Sequence, residues 1–169
     1  NAGPAATTPN YAVETQAPTI SSVTASWGTY LNATEDDSDG TVTVVTSLAE
    51  NGQTVTVALN GTNYTGTVSD NSTSVTIAAS GLQALANGSS YTLTTNVSNA
   101  AGNAATENTG TSFTYDITVP TLAETTAVST LTNDNSTQYT FSSSEGGTIS
   151  VGGSCSNSSD NNTAVADNM

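Results

Sequence analysis

Between Leu31 and Asn103 the chain repeats one device, an exchange of aliphatic and hydroxyl side chains at every residue. Thr41-Val42-Thr43-Val44-Val45-Thr46 shows it, and so do Thr54 to Leu59, Ser74 to Ala78 and Tyr91 to Val97. Successive side chains of a strand point to opposite faces, so the pattern puts the aliphatic set on one face and the threonines on the other. Such runs predict half-buried antiparallel strands. Asn60-Gly61 follows the second run, and both residues accept the positive φ angles of a two-residue hairpin turn. Asn63-Tyr64-Thr65-Gly66-Thr67-Val68 then returns as the partner strand, and the whole stretch reads as a sheet meander.

The same stretch carries a resemblance. Leu31-Asn32-Ala33, Glu50 to Val57, Leu59-Asn60-Gly61, Leu82 to Ser89 and Val97-Ser98-Asn99-Ala100-Ala101-Gly102-Asn103 stand in an order that resembles the bacterial immunoglobulin-like repeats of giant secreted adhesins and biofilm proteins. The resemblance implies an all-β, immunoglobulin-like β-sandwich that serves as a structural and adhesive spacer. It implies no enzyme.

The 169 residues leave room for one ordinary domain and a smaller second one. Fourteen acidic residues and no lysine, arginine or histidine give a formal charge of −14. Ordinary domains carry both signs, so nucleic acid and anionic membrane surfaces are poor partners for this chain. The missing side chains also remove most catalytic chemistry: no imidazole base, no Schiff-base lysine, no arginine clamp. Paired carboxylates could still cleave a glycoside, yet no spacing singles out such a pair. No hydrolase or transferase activity is expected. Threonine, serine and asparagine make up over two fifths of the chain, which suits exposed sheet faces. No apolar run approaches the eighteen or so residues of a membrane span, and Asn1 opens the chain without a charged and apolar leader. An extracellular or cell-surface protein is expected.

An internal repeat sets the domain limits. Ala2-Gly3-Pro4-Ala5-Ala6-Thr7 followed by Tyr11 to Ile20 matches Ala101-Gly102-Asn103-Ala104-Ala105-Thr106 followed by Phe113 to Leu122. Residues 1–17 therefore read as the last strand of a preceding domain and a linker, 18–117 as a complete sandwich, and 118–169 as a partial domain with a polar tail. A proline stands at each junction, Pro18 and Pro120, where it lacks a ladder donor and enforces an extended predecessor. In the partial domain, Thr121 to Thr130, Gln138 to Ser142 and Thr148 to Val151 read as strands. Cys155 is the only cysteine, so it has no internal partner; an idle thiol or an intermolecular bridge remains open.

Three sets of side chains are candidates for function. Glu35, Asp36, Asp37 and Asp39 crowd one turn ending at Gly40, an oxygen-rich loop of the kind that holds calcium, although its spacing is not that of a helix-loop-helix site. In the repeats this chain resembles, a linker aspartate helps bind calcium between domains, which implies roles for Glu14 and Asp116, each four residues before a junction proline. The aspartate usual before Ala-Ala-Gly-Asn is Asn99 here. Asn-x-Ser/Thr sequons fall at Asn32, Asn60, Asn63, Asn71, Asn87, Asn96, Asn135, Asn157 and Asn161, candidate glycosylation sites on an exposed filament. Trp27, Tyr30 and Tyr64 could form a sugar platform, though core packing explains them more simply.

Two functions compete at this level. One is a filament subunit that polymerises with copies of itself, Tyr11 and Val13 of one subunit entering the half-domain of the next beside Tyr139, Phe141, Ile149 and Val151. The other is a calcium-rigidified stalk or spacer in a large cell-surface adhesin.

Overall fold

The computed structural model describes residues 13–128, 133–134, 139–148, 150 and 163–164. The chain divides into two compact units, Asn1–Ile117 and Thr118–Met169.

The first unit packs two sheets face to face. Strands β1 (Thr19–Ala25), β3 (Gly40–Ser47) and β6 (Ser72–Ile77) form a three-stranded antiparallel sheet in the order β1-β3-β6. The second sheet has five strands: β2 (Tyr30–Leu31), β8 (Asn108–Tyr115), β7 (Ser89–Val97), β4 (Thr54–Leu59) and β5 (Thr62–Thr67), in that order. β2 runs parallel to β8, and the other pairings are antiparallel. One helical turn, α1 (Ala79–Leu82), leads from β6 towards β7.

The alternating runs form the strands expected of them. Val42 and Val44 of β3, Val55, Val57 and Leu59 of β4, Val75 and Ile77 of β6, and Leu93 and Val97 of β7 all turn into one core. Each such burial stabilises the fold by about 1.5–3 kcal/mol. The valine doublet resolves in favour of Val44, and Val45 faces out. The threonines do not all take the outer face, which corrects the simple reading of the pattern. Thr46, Thr73 and Thr95 share the parity of the core positions and are buried with them. Parity fixes direction, and a strand cannot turn one side chain back without losing its register.

Two tight turns use positive φ angles. Asn60 at +48° and Gly61 at +77° join β4 to β5 as expected, while Asp70 at +50° and Asn71 at +62° join β5 to β6 without a glycine. Short polar side chains tolerate that region well enough to substitute for glycine.

Trp27 belongs to the core. Its ring meets Phe113 edge to face at a centroid distance of 5.3 Å and covers the backbone of Gly40, where a Cβ would run into the indole. Tyr91, near the start of β7, accepts a 2.7 Å hydrogen bond on its hydroxyl from the main-chain N–H of Ala86. This is the tyrosine corner of immunoglobulin-like sandwiches, a phenol that pins the loop preceding its own strand.

In the second unit β9 (Leu122–Thr126) pairs antiparallel with β10 (Thr140–Ser143), and β11 (Gly147–Thr148) pairs with β12 (Thr163–Ala164). All five residues of β9 are exposed, Leu122 by 70%. The strand expected over Thr121 to Thr130 spans Leu122–Thr126, and the one expected over Gln138 to Ser142 spans Thr140–Ser143. The third, expected over Thr148 to Val151, is seen as Gly147–Thr148, since Ile149 and Val151 lie outside the described residues.

Candidate functional site: the two poles of the sandwich

The chain meets the first unit at one end of β7 and leaves it at the other. On arrival, Pro18 is fully buried. The carbonyls of Glu14 and Gln16, two residues apart, both accept from side chains of the turn after β7. Asn103 Nδ2 donates to the first at 3.0 Å and Asn99 Nδ2 to the second at 2.7 Å. Both asparagines sit in the turn after β7, which closes on itself: Asn99 N–H donates to the Asn103 carbonyl, and Asn103 N–H donates to Asn99 Oδ1 at 2.8 Å. Glu50 reaches the same turn, its Oε2 accepting from Ala100 N–H at 3.1 Å.

The two carboxyl groups at this pole, Glu14 and Glu50, adjoin. Lost hydration against the turn, and then the Glu50 charge, push the Glu14 carboxyl above its usual range. Glu50 is held below it, first by its own main-chain N–H and also by that of Ala100.

On departure, Asp116 N–H donates to the Leu31 carbonyl at 2.9 Å and Ile117 N–H donates to Asn87 Oδ1 at 3.0 Å. This is the pole of the acidic loop. Asp36 is only 6% exposed, and its Oδ2 accepts a 2.6 Å hydrogen bond from the buried Tyr115 hydroxyl. That bond, then burial, raises the Tyr115 phenol to about 12.

The other acidic side chains of the loop have separate duties. Glu35 Oε2 accepts from Asn32 N–H at 3.1 Å, Asp39 Oδ1 from Ala79 N–H at 3.0 Å, and Asp37 Oδ1 from Gln83 Nε2 at 3.4 Å. Each carboxylate thus braces a different piece of backbone or side chain. The sequence suggested four carboxylates gathered in one turn, but among the described residues no three acidic, cysteine or histidine side chains group as a metal site. Glu14 and Asp116 stand at opposite poles and are not brought together.

The remaining candidates scatter. Val13 is 85% exposed, while Tyr11, Ile149 and Val151 lie outside the described residues. Tyr139 and Phe141 meet each other at a centroid distance of 6.2 Å, with Tyr139 exposed. Among the sequons, Asn60, Asn63 and Asn71 are exposed at or beside the tight turns, whereas the side-chain oxygens of Asn32, Asn87 and Asn96 accept main-chain hydrogen bonds. Asn135, Asn157, Asn161 and Cys155 lie outside the described residues. Of the aromatic trio, Trp27 is core, Tyr64 packs partly against it, and Tyr30 alone is well exposed, so no platform forms.

Two packed sheets, one of three strands and one of five, joined with a tyrosine corner, define an immunoglobulin-like sandwich. No family model matches the chain, and no curated relative does. A solved bacterial immunoglobulin-like domain from the M. primoryensis ice-binding adhesin is similar at 30% identity, covering 58% of this chain and 99% of that one, with a TM-score of 0.42. By that identity over nearly the whole of that domain, the chain belongs to the bacterial immunoglobulin-like domains. Two longer adhesin structures are similar at the same identity. One, from work on host cell surface retention of a 1.5-MDa bacterial ice-binding adhesin, covers 62% of this chain and 34% of its own, with a TM-score of 0.44. The other, a Ca2+-stabilized adhesin that helps an Antarctic bacterium reach out and bind ice, covers 64% and 27%, with a TM-score of 0.45. The chain thus spans about a third or less of these longer structures. No described helix is long and apolar enough to cross a membrane.

The sequence pointed to the acidic loop and to the junction acids, and missed Glu50 and the role of Asn103. Asn99 stood out as a substitution. Nothing in the sequence paired it with Gln16, because its partner there is a main-chain carbonyl 83 residues away.

Proposed function

We propose that the chain is a length of stalk in a large cell-surface adhesin, a spacer of immunoglobulin-like domains outside the cell that performs no catalysis. The observation that carries this is the placing of the two junctions. The arriving segment rests on the turn after Val97, and the departing one rests on Asn87, just before Ser89. The nine residues of β7 lie between them, a span of about 30 Å at roughly 3.3 Å per residue. A domain that receives the chain at one pole and releases it at the other extends a tandem array by its full length. The similarity to adhesin domains favours the same reading. A charge of −14 with no cations discourages sticking between neighbouring stalks. The absence of histidine, lysine and arginine leaves no activated nucleophile to suggest turnover.

The filament reading has less behind it. Residues just after the proposed donor, Glu14 and Gln16, are already bonded to the turn of their own domain. Sedimentation velocity of the full chain over a hundredfold range of concentration separates the two. A single concentration-independent species is expected; growth into polymers would favour the filament and overturn the stalk.

A further inference from the structure

We propose that Asn99 makes the junction at Glu14–Pro18 independent of divalent cations, because its amide, together with that of Asn103, holds the linker carbonyls directly. The inference does not depend on the stalk reading. Calcium stabilises one of the similar adhesins, so the donor set at this junction has to be tested against that ion. Calcium takes about six to eight oxygens, commonly carboxylates and main-chain carbonyls. The carbonyls at hand are those of Glu14 and Gln16, and an N–H already points at each of them. An amide nitrogen presents protons where an ion would need oxygen.

Asn99 cannot easily turn round. Its Oδ1 accepts from Asn103 N–H at 2.8 Å while its Nδ2 donates to Gln16, so a flip would break both bonds and oppose like groups. It is 3% exposed, so water has little access to replace what a flip would lose. The carboxylates nearby do not make up the deficit. Glu14 and Glu50 adjoin, but Glu50 is engaged by Ala100 N–H, the Glu14 carboxyl is met by the Asn99 side chain, and Asp70 is paired with Asn51, so among the described residues no third carboxylate joins the two. The residues present do not fit the ion.

Aspartate and asparagine are nearly the same size. The Asn at position 99, where the resembling repeats have Asp, therefore keeps the turn and exchanges one charged oxygen for a donor. The exchange turns a place suited to an ion into a direct clamp.

Limited proteolysis of the full chain with a glutamate-specific protease reads the clamp through cleavage after Glu14, which requires the segment to lift from the turn. The wild type is expected to be cut at equal rates, within twofold, in EDTA and in millimolar CaCl2. Asn99→Ala, or Asn103→Ala if the first fails to fold, should be cut at least about fivefold faster in both, since each removes one of the two hydrogen bonds that hold the linker and so raises the open population. Asn99→Asp should become cation-dependent, cut faster in EDTA than in CaCl2 but not affected by MgCl2. A wild type that is cut severalfold faster in EDTA would overturn the proposal. So would an Asn99→Asp chain that stays indifferent to calcium.

Discussion

The two poles of the sandwich are braced by different chemistry. At the departing pole an aspartate is buried against a tyrosine hydroxyl, beneath the loop that carries most of the local charge. At the arriving pole two neutral amides take two carbonyls, and the glutamates stay at the rim. A hydrogen bond to a charged group in a dry site is about twice as strong as a neutral one, and it costs more when half of it is removed. The departing pole should thus be the stronger and the more sensitive to alkaline pH.

The largest effect is expected from Asp36→Ala. It leaves the Tyr115 hydroxyl buried without its acceptor and removes a brace from the loop, a loss of about 2–3 kcal/mol. Urea unfolding followed by the fluorescence of Trp27, the chain's single tryptophan, measures it. A loss below about 0.5 kcal/mol would show that the carboxylate is solvated.

Alkaline titration sharpens the same contrast. The folded-state value of Tyr115 is raised from 10.0 to about 12. Below pH 10 both states keep the proton and the contribution is whole. Between pH 10 and about 12 the unfolded chain ionises first, so stability falls as pH rises, by up to roughly 2–3 kcal/mol for a shift of this size. Tyr115→Phe should be less stable at pH 7, because the buried Asp36 loses its donor, yet should show a shallower decline above pH 10. Parallel declines in the two proteins would place the pH dependence elsewhere.

The difference between poles also marks what could be read in the sequence. β3, β4, β6 and β7 were legible because each buries one face and writes that face as a period of two. β1 was not, since its apolar residues Ile20, Val23 and Ala25 break step at a bulge between Ile20 and Ser22. β2 has two residues and pairs in parallel with β8 near the far end of the unit, which leaves no periodic trace. The acidic loop was visible as composition, but where each carboxylate points depends on α1, β2 and β8 arriving around it. The arriving clamp was less visible still, because half of each bond is backbone, and backbone has no letter in the sequence.

At that clamp, Asn103→Ala should cost about 0.5–1.5 kcal/mol, the range for one neutral hydrogen bond. The loss should be the same at pH 7 and pH 11, unlike that of Tyr115→Phe. A loss that grew at high pH would tie the clamp to an ionising group and erase the contrast between the poles.

The smallest expected effect is the most discriminating for the acidic loop. Asp37 is exposed, and its Oδ1 stands at 3.4 Å from Gln83 Nε2, a long contact in open solvent. Asp37→Asn should therefore change stability by less than about 0.5 kcal/mol. Asp39→Asn should cost only slightly more, since an asparagine oxygen can still accept from Ala79 N–H. If the loop held one ion, the carboxylates would act as a set, and each replacement would weaken the site and lower the melting temperature by similar amounts in the presence of calcium. The structure predicts instead a graded series, Asp36 far above Asp39 and Asp39 above Asp37, that follows burial and hydrogen-bond length and does not change when calcium is added. Melting curves of the three variants with EDTA and with calcium decide between the two orders, and equal calcium-dependent losses across the series would rule out a separate bracing role for each carboxylate.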